Sequence, residues 1–221
     1  MKSAVEIEVF FDFICPWCLI GKRQLQAAIE LLHQTHQDVQ VQIKWRGIQL
    51  LSAIPLDGVP FKAFYLQRLG SPTAVRLRQG QVRQAAKAIG VEIDFDKIPR
   101  MPNTAKAHYF FSKASALGDA EKHNLLLEAI FSAYFHHSEN ISDPLVLEKI
   151  AVQCGYQAAA IQAILDIPPT PFISADTGGK GVPYFVFDGS FAIAGAQPAD
   201  VLYQAILEVL QTQEVENEQP L

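Results

Sequence analysis

Val5-Glu6-Ile7-Glu8-Val9-Phe10-Phe11-Asp12-Phe13-Ile14, followed at once by Cys15-Pro16-Trp17-Cys18, is the stretch whose reading decides the fold. Val5, Ile7, Val9 and Phe11 alternate with Glu6 and Glu8, which is the period of a half-buried strand, and the run then turns apolar. From Leu19 onward, Leu25, Ala28, Ile29 and Leu32 fall three and four apart, so a helix is expected to begin within the cysteine segment. It should run from about Pro16 to His33 or Thr35. Pro16 suits the first turn, because proline has no amide hydrogen to lose there and its φ is already helical. Cys15 is therefore expected just before or at the helix start, with Cys18 one turn in.

That placement supplies chemistry. Unpaired amides and the partial positive charge at a helix N-terminus favour a thiolate at Cys15, and the thiolate is the species that attacks disulfides. The macrodipole contributes roughly 0.3–2 kcal/mol to such a charge. Cys18 would then resolve the mixed disulfide. Two other readings of the pair exist. Half of a zinc site would need a second ligand pair, and the only other cysteine is Cys154. A static disulfide would close a very small loop in a chain whose 221 residues and 49% hydrophobic content already provide a substantial core. No metal is expected.

A net charge of −5 and a pI near 5.7 argue against a nucleic-acid surface. Glu6 and Glu8 interrupt what would have to be a signal peptide's apolar core, and no segment approaches the apolar length of a membrane helix. The expectation is a cytoplasmic protein that binds no membrane, in which a cysteine pair is catalytic more readily than architectural. A monomer or homodimer fits equally.

Further along, Val39, Val41, Ile43 and Trp45 alternate with Gln40, Gln42 and Lys44, so strand, helix and strand form a right-handed parallel crossover. Residues 49–60, with Pro55, Asp57-Gly58 and Pro60, read as a loop. Helices are then expected at about 61–69, 72–90, 103–117, 120–137, 143–154 and 157–165. Ser142-Asp143-Pro144 supplies a cap and first-turn proline, and Gly155 a helix end. Ile167-Pro168-Pro169-Thr170-Pro171 cannot be regular helix. Pro183–Phe187 and Ser190–Ala194 flank a two-residue Asp188-Gly189 turn, a hairpin signal. Pro198 to about Gln211 closes as an amphipathic helix through Val201, Leu202, Ala205, Leu207 and Leu210, leaving a frayed tail. This order is that of an α/β thioredoxin fold, a mixed sheet with a large all-helical domain inserted. The expected divisions are 1–55, 56–175 for the insert, 176–212, and a disordered 213–221.

On particular residues the chain resembles the DsbA-like thioredoxin-domain family, most closely its cytoplasmic FrnE-type branch of dithiol-disulfide isomerases. They are Phe11-Asp12-Phe13-Ile14-Cys15-Pro16-Trp17-Cys18 with Gly21-Lys22-Arg23, Asn103-Thr104 with Ala107-His108, Gly181-Val182-Pro183-Tyr184-Phe185-Val186-Phe187-Asp188-Gly189, and Gly195-Ala196-Gln197. The likeness spans about residues 5 to 210. It departs at Leu19, where an aromatic is expected, and at Arg46-Gly47-Ile48, where Pro-Phe is expected before Gln49-Leu50.

The resemblance implies a thiol-disulfide oxidoreductase or isomerase acting on protein or peptide disulfides, with Cys15, Cys18 and Pro183 as catalytic residues. Pro183 would be a cis-proline facing the dithiol, leaving the Val182 backbone to pair with a substrate strand. Pro16, Trp17, Val182, His108 and Asn103 would complete the motif and substrate groove. No cofactor is expected, and glutathione is a candidate thiol partner. Relatives on the same fold conjugate glutathione or isomerise chromene carboxylates, commonly with serine at the first motif position, so a glutathione-dependent transferase or isomerase is the first alternative. A redox sensor or binding protein without turnover is the second. Taken singly, His108 is a lone helical histidine, Asn103-Thr104 reads as a helix cap, and Cys154 reads as a small buried hydrophobe.

Overall fold

Burial of Val5, Ile7, Val9 and Phe11, with Glu6 and Glu8 turned toward solvent, gives strand β1 (Ala4–Phe11) its two faces. The computed structural model describes residues 4–167 and 172–218. The chain forms two compact units. One comprises the chain up to Phe11, Trp17–Ile48 and the chain from Ala175; the other comprises Asp12–Pro16 and Gln49–Ser174.

In the first unit, helix α1 (Pro16–Thr35) carries the chain over to β2 (Gln40–Gly47), which lies parallel to β1 with Ile7 opposite Ile43 and Val9 opposite Trp45. The other edge of β1 pairs antiparallel with β5 (Tyr184–Phe187), and β5 turns back into β6 (Phe191–Ala194), giving the order β2-β1-β5-β6. Helix α8 (Ala199–Glu218) ends the unit. Val5, Ile7 and Val9 pack with Leu25 and Leu32 of α1, Phe185 and Phe187 of β5, and Leu202, Ile206 and Val209 of α8. Burying each such side chain contributes roughly 1.5–3 kcal/mol, so this set is the main support of the sheet.

The second unit is helical. A two-residue bridge of β3 (Val59–Pro60) with β4 (Arg100–Met101) brackets α2 (Phe61–Leu69) and α3 (Pro72–Lys87). Then follow α4 (Ala105–Ala114), a 3-10 turn at Ser115–Leu117, α5 (Ala120–Phe135), α6 (Pro144–Gln153) and α7 (Ala158–Leu165). Starts are set locally: Ser71, Asp119 and Asp143 accept from the amides of Ala74, Lys122 and Leu145. Gly70, at φ 78°, ends α2 in a left-handed conformation that a side chain would resist. With the thioredoxin-fold sheet and these added helices, the molecule is mixed α/β.

Four expectations are corrected. The loop over 49–60 ends in β3, whose two residues carry no readable period. The hairpin turn has three residues, Asp188 to Ser190, since Phe187 pairs with Phe191 and the Ser190 amide donates to the Phe187 carbonyl at 2.9 Å. Helix α8 runs past Gln211 to Glu218. Gln213 anchors it by donating to the Ala4 carbonyl at 2.9 Å and the Asp188 carboxylate at 2.5 Å. Only 219–221 of the expected tail, and 168–171 of the proline-rich run, lie outside the described residues. Cys154 is the half-buried C-cap of α6 and not a core residue; its burial still raises the thiol pKa.

Candidate active site

Chain geometry fixes the cysteines first. The Cys15 amide donates to the Asp12 carbonyl at 3.0 Å, which closes a tight turn between β1 and α1. Pro16 takes the first helical position, so Cys15 immediately precedes α1 and Cys18 sits in its first turn. Both cysteines are buried, with relative exposures of 8% and 3%, while Pro16 and Trp17 between them are half-buried.

The turn is anchored through Asp12, which is fully buried. Its Oδ2 accepts from the Leu50 amide at 2.8 Å, and its Oδ1 lies 3.0 Å from His108 Nε2 and 3.5 Å from the Ile14 amide nitrogen. A buried carboxylate needs such donors, because its desolvation is otherwise uncompensated. With the carboxylate accepting, His108 Nε2 is the donor. The imidazole lies between Phe13 and Phe172, with ring centroids at 4.9 and 5.1 Å, the second contact stacked. Phe13 itself packs edge-on against Phe111 and is tilted over Phe131. Burial first, and then the neighbouring Cys15, raise the pKa of the Tyr65 phenol on α2, with Arg68 and Arg78 opposing. Tyr134, on α5, is held well above the ordinary tyrosine value by burial, Tyr65 and Asp12 in that order. It donates to Met101 Sδ at 3.6 Å.

Within the sheet unit, Gly21 lies one turn beyond Cys18 on the same side of α1. A Cβ there would meet Pro183 Cγ at 2.9 Å and Phe185 Cζ at 3.2 Å, so glycine is what allows α1 to close on this strand. The Val182–Pro183 peptide is cis, and Pro183 is buried just ahead of β5 while Val182 is half-buried. The Gly195 amide donates to the Pro183 carbonyl at 2.8 Å.

Two residues expected to line a substrate groove are interior instead. Asn103 is 6% exposed: its Oδ1 accepts from Gln49 Nε2 and the Ala105 amide, and its Nδ2 donates to the Ile54 carbonyl. It holds the first amide of α4 and staples the 49–54 segment, and it borders a cavity of about 250 Å3 shared with Lys106, Tyr109, Ser142 and Ile164. His108 is 1% exposed and faces Asp12. Asp12 and Tyr65 were not singled out from sequence. The signal for Asp12 was present, as the one acid in the apolar run Phe10–Ile14; Tyr65 carries no comparable signal. At the departures, Leu19 is fully buried and Arg46 pairs with Glu8. Among the described residues, no three His, Cys, Asp or Glu side chains gather as a metal site would require, and no helix is long and apolar enough to cross a membrane.

Comparison with known proteins fits this arrangement. A Bacillus subtilis protein, YwbO, is 25% identical over 210 residues, spanning 91% of this chain and 96% of its own. The solved structure of a probable DsbA oxidoreductase from Streptomyces coelicolor superposes with a TM-score of 0.80 at 24% identity, covering 98% of this chain and 92% of that one. A cytosolic disulfide reductase, DsbM, from Pseudomonas aeruginosa superposes with a TM-score of 0.60 at 21% identity, covering 94% and 99%, and has also been solved with GSH. At these identities the two structures establish likeness of fold. The DSBA-like thioredoxin domain profile matches residues 6–171, which takes in the cysteine turn and nearly all of the helical unit. The chain belongs to the DSBA-like thioredoxin domain family.

Proposed function

We propose that the protein is a thiol-disulfide oxidoreductase of protein or peptide substrates, with Cys15 as nucleophile and Cys18 as resolving thiol. The observation that carries this reading is the placement of Cys15 immediately before α1 and Cys18 within its first turn. The dipole of that helix end favours negative sulfur. In the reduced enzyme, the Cys15 thiolate attacks one sulfur of a substrate disulfide, forming a mixed disulfide and releasing the other substrate sulfur as a thiolate. The Cys18 thiolate then attacks Cys15 Sγ, releasing the second substrate thiolate and leaving a Cys15–Cys18 disulfide. Two electrons have passed from enzyme to substrate, and an external thiol such as glutathione restores the dithiol. The reverse sequence oxidises substrate thiols. Pro183 and the Val182 backbone serve as the edge against which an extended peptide lies. The cytosolic DsbM neighbour, solved with GSH, supports glutathione as the thiol partner and a reducing compartment as the setting.

Peptide-disulfide turnover decides this reading. The wild type should turn over, Cys15→Ser should be inert, and Cys18→Ser should accumulate mixed disulfides on non-reducing gels. Equal trapping by both variants would reverse or abolish the division of roles. Glutathione conjugation or isomerisation without disulfide turnover would favour the transferase alternative, and stoichiometric oxidation without turnover would favour a sensor.

A further inference from the structure

We propose that Asp12 and His108 form a buried hydrogen-bonded pair that sets the reactivity of Cys15, both acting as positioning residues. This rests on the thiol-disulfide reading of the same site. Asp12 is three residues before Cys15, its carbonyl accepts the Cys15 amide at 3.0 Å, and its Oδ1 reaches back to 3.5 Å from the Ile14 nitrogen. The residue is therefore tied into the turn that leads to the nucleophile, its backbone at the Cys15 amide and its carboxylate beside the Ile14 amide. Both side chains are closed off from bulk solvent, Asp12 at 0% and His108 at 1% exposed, so a charge there acts through a medium of low dielectric. A bare carboxylate there opposes a thiolate at Cys15; His108 Nε2, at 3.0 Å, offsets it.

The pair is fixed from several directions. Phe13 and Phe172 hold the imidazole plane, and the Leu50 amide holds the second carboxylate oxygen. Among the described residues, the Tyr65 phenol from α2, with Arg68 and Arg78 acting on it, and the Tyr134 phenol from α5 also face this region. Both stay neutral in the physiological range, because each is raised above the ordinary tyrosine value. Asp12 and His108 are the buried hydrogen-bonded pair whose replacement alters the field at Cys15 from within the helical unit. A thiolate stabilised in the reduced form makes a stronger oxidant, so shifting this field shifts the redox balance.

The two halves of the pair should act with opposite sign. Asp12→Asn keeps the shape and removes the opposing charge: iodoacetamide should alkylate Cys15 faster at neutral pH, and the dithiol–glutathione equilibrium should move toward the reduced form by about tenfold, equivalent to about 30 mV for a two-electron couple. His108→Gln replaces the imidazole with an amide, a donor less able to offset the carboxylate: alkylation should slow, and the equilibrium should move the other way. Ile130→Ala, a core truncation elsewhere in the helical unit, controls for loosening and should leave both readouts unchanged. If His108→Gln does not fold, Asp12→Asn still decides the sign. Displacement of both variants in the same direction, or no displacement in folded Asp12→Asn, overturns the pair. Absence of disulfide turnover in the wild type overturns the function reading instead.

Discussion

The two units solve burial differently. In the sheet unit, the interior is aliphatic and aromatic with the Cys18 thiol; in the helical unit lie all four buried polar side chains found among the described residues, Asp12, Asn103, Thr104 and His108. A wholly apolar core tolerates approximate solutions, because any well-filled packing removes the same area from water. A buried carboxylate tolerates few, because each oxygen needs a donor at hydrogen-bonding distance. The difference teaches where specificity resides. The sheet unit supplies a stable frame, and the helical unit fixes the turn that carries the nucleophile.

The sharpest way to break this contrast is to damage each core once. His108→Ala should cost about 3–5 kcal/mol by stranding a buried carboxylate, and Phe187→Ala about 3–5 kcal/mol by opening a cavity in the sheet core; urea unfolding midpoints measure both. They should part on repair. The double variant Asp12→Leu/His108→Leu should recover much of the first loss, since an apolar pair of suitable volume is often no worse than a buried charged one. If it stays as weak as His108→Ala, the loss belongs to packing between Phe13 and Phe172 and the contrast dissolves.

A smaller effect is expected at Gly21→Ala, where the added methyl would press on Pro183 and Phe185. Overpacking of this kind costs about 1–3 kcal/mol. Disulfide turnover should fall beyond what the stability loss explains, because Cys18 is one turn away. Unchanged turnover at full folding would show that the α1 contact with Pro183 does not shape the site.

Smaller again are the caps that start the helical unit. Ser71→Ala and Asp119→Ala should each lower stability by about 1 kcal/mol, visible as a few degrees in a thermal melt, without altering alkylation of Cys15. A change in that rate would mean that the helix starts report directly to the nucleophile.

The smallest effect concerns His123, stacked on Phe111 and 3.0 Å from its carbonyl. Burial lowers its pKa in the folded protein, with the Phe111 hydrogen bond opposing. As pH falls below the unfolded value of about 6.5, the unfolded chain takes up the proton first. Stability is therefore lost from about pH 6.5 downward until folded His123 also protonates, and is unaffected above that range. His123→Gln should flatten this slope in unfolding curves taken on either side of it; an unchanged slope would assign it to other groups.

Much of the frame was legible because periodicity reports it. The alternation at Val5–Phe11, the three-and-four spacing of α1 and the Asp-Pro start of α6 are local signals, and each produced its element. The two-residue strands were invisible, since a bridge of that length is decided by its partner. The site was half legible. Cys15 and Cys18 announce themselves by spacing, but the significance of Asp12 depends on Leu50, 38 positions away, and His108, 96 positions away. A lone acid in an apolar run says that a partner must exist without saying which. Asn103 is a related case: an amide in a family motif suggests substrate contact, while its bonds to Gln49, Ile54 and Ala105 are made with the chain itself.

The position of β1 in the middle of its sheet bears on how the protein is made. Its first neighbour, β2, follows within the opening crossover, but the second, β5, lies beyond the entire helical unit. On the ribosome, β1, α1 and β2 emerge with one hydrogen-bonding edge of β1 bare, and that edge stays open for as long as residues 49–174 take to be synthesised. A bare strand edge is a template for pairing with another chain. Closure over such a separation costs only logarithmically more than over a short one, so the long insertion is inexpensive once the chain is complete; its hazard is one of timing, carried by the nascent polypeptide before Tyr184–Phe187 has been translated.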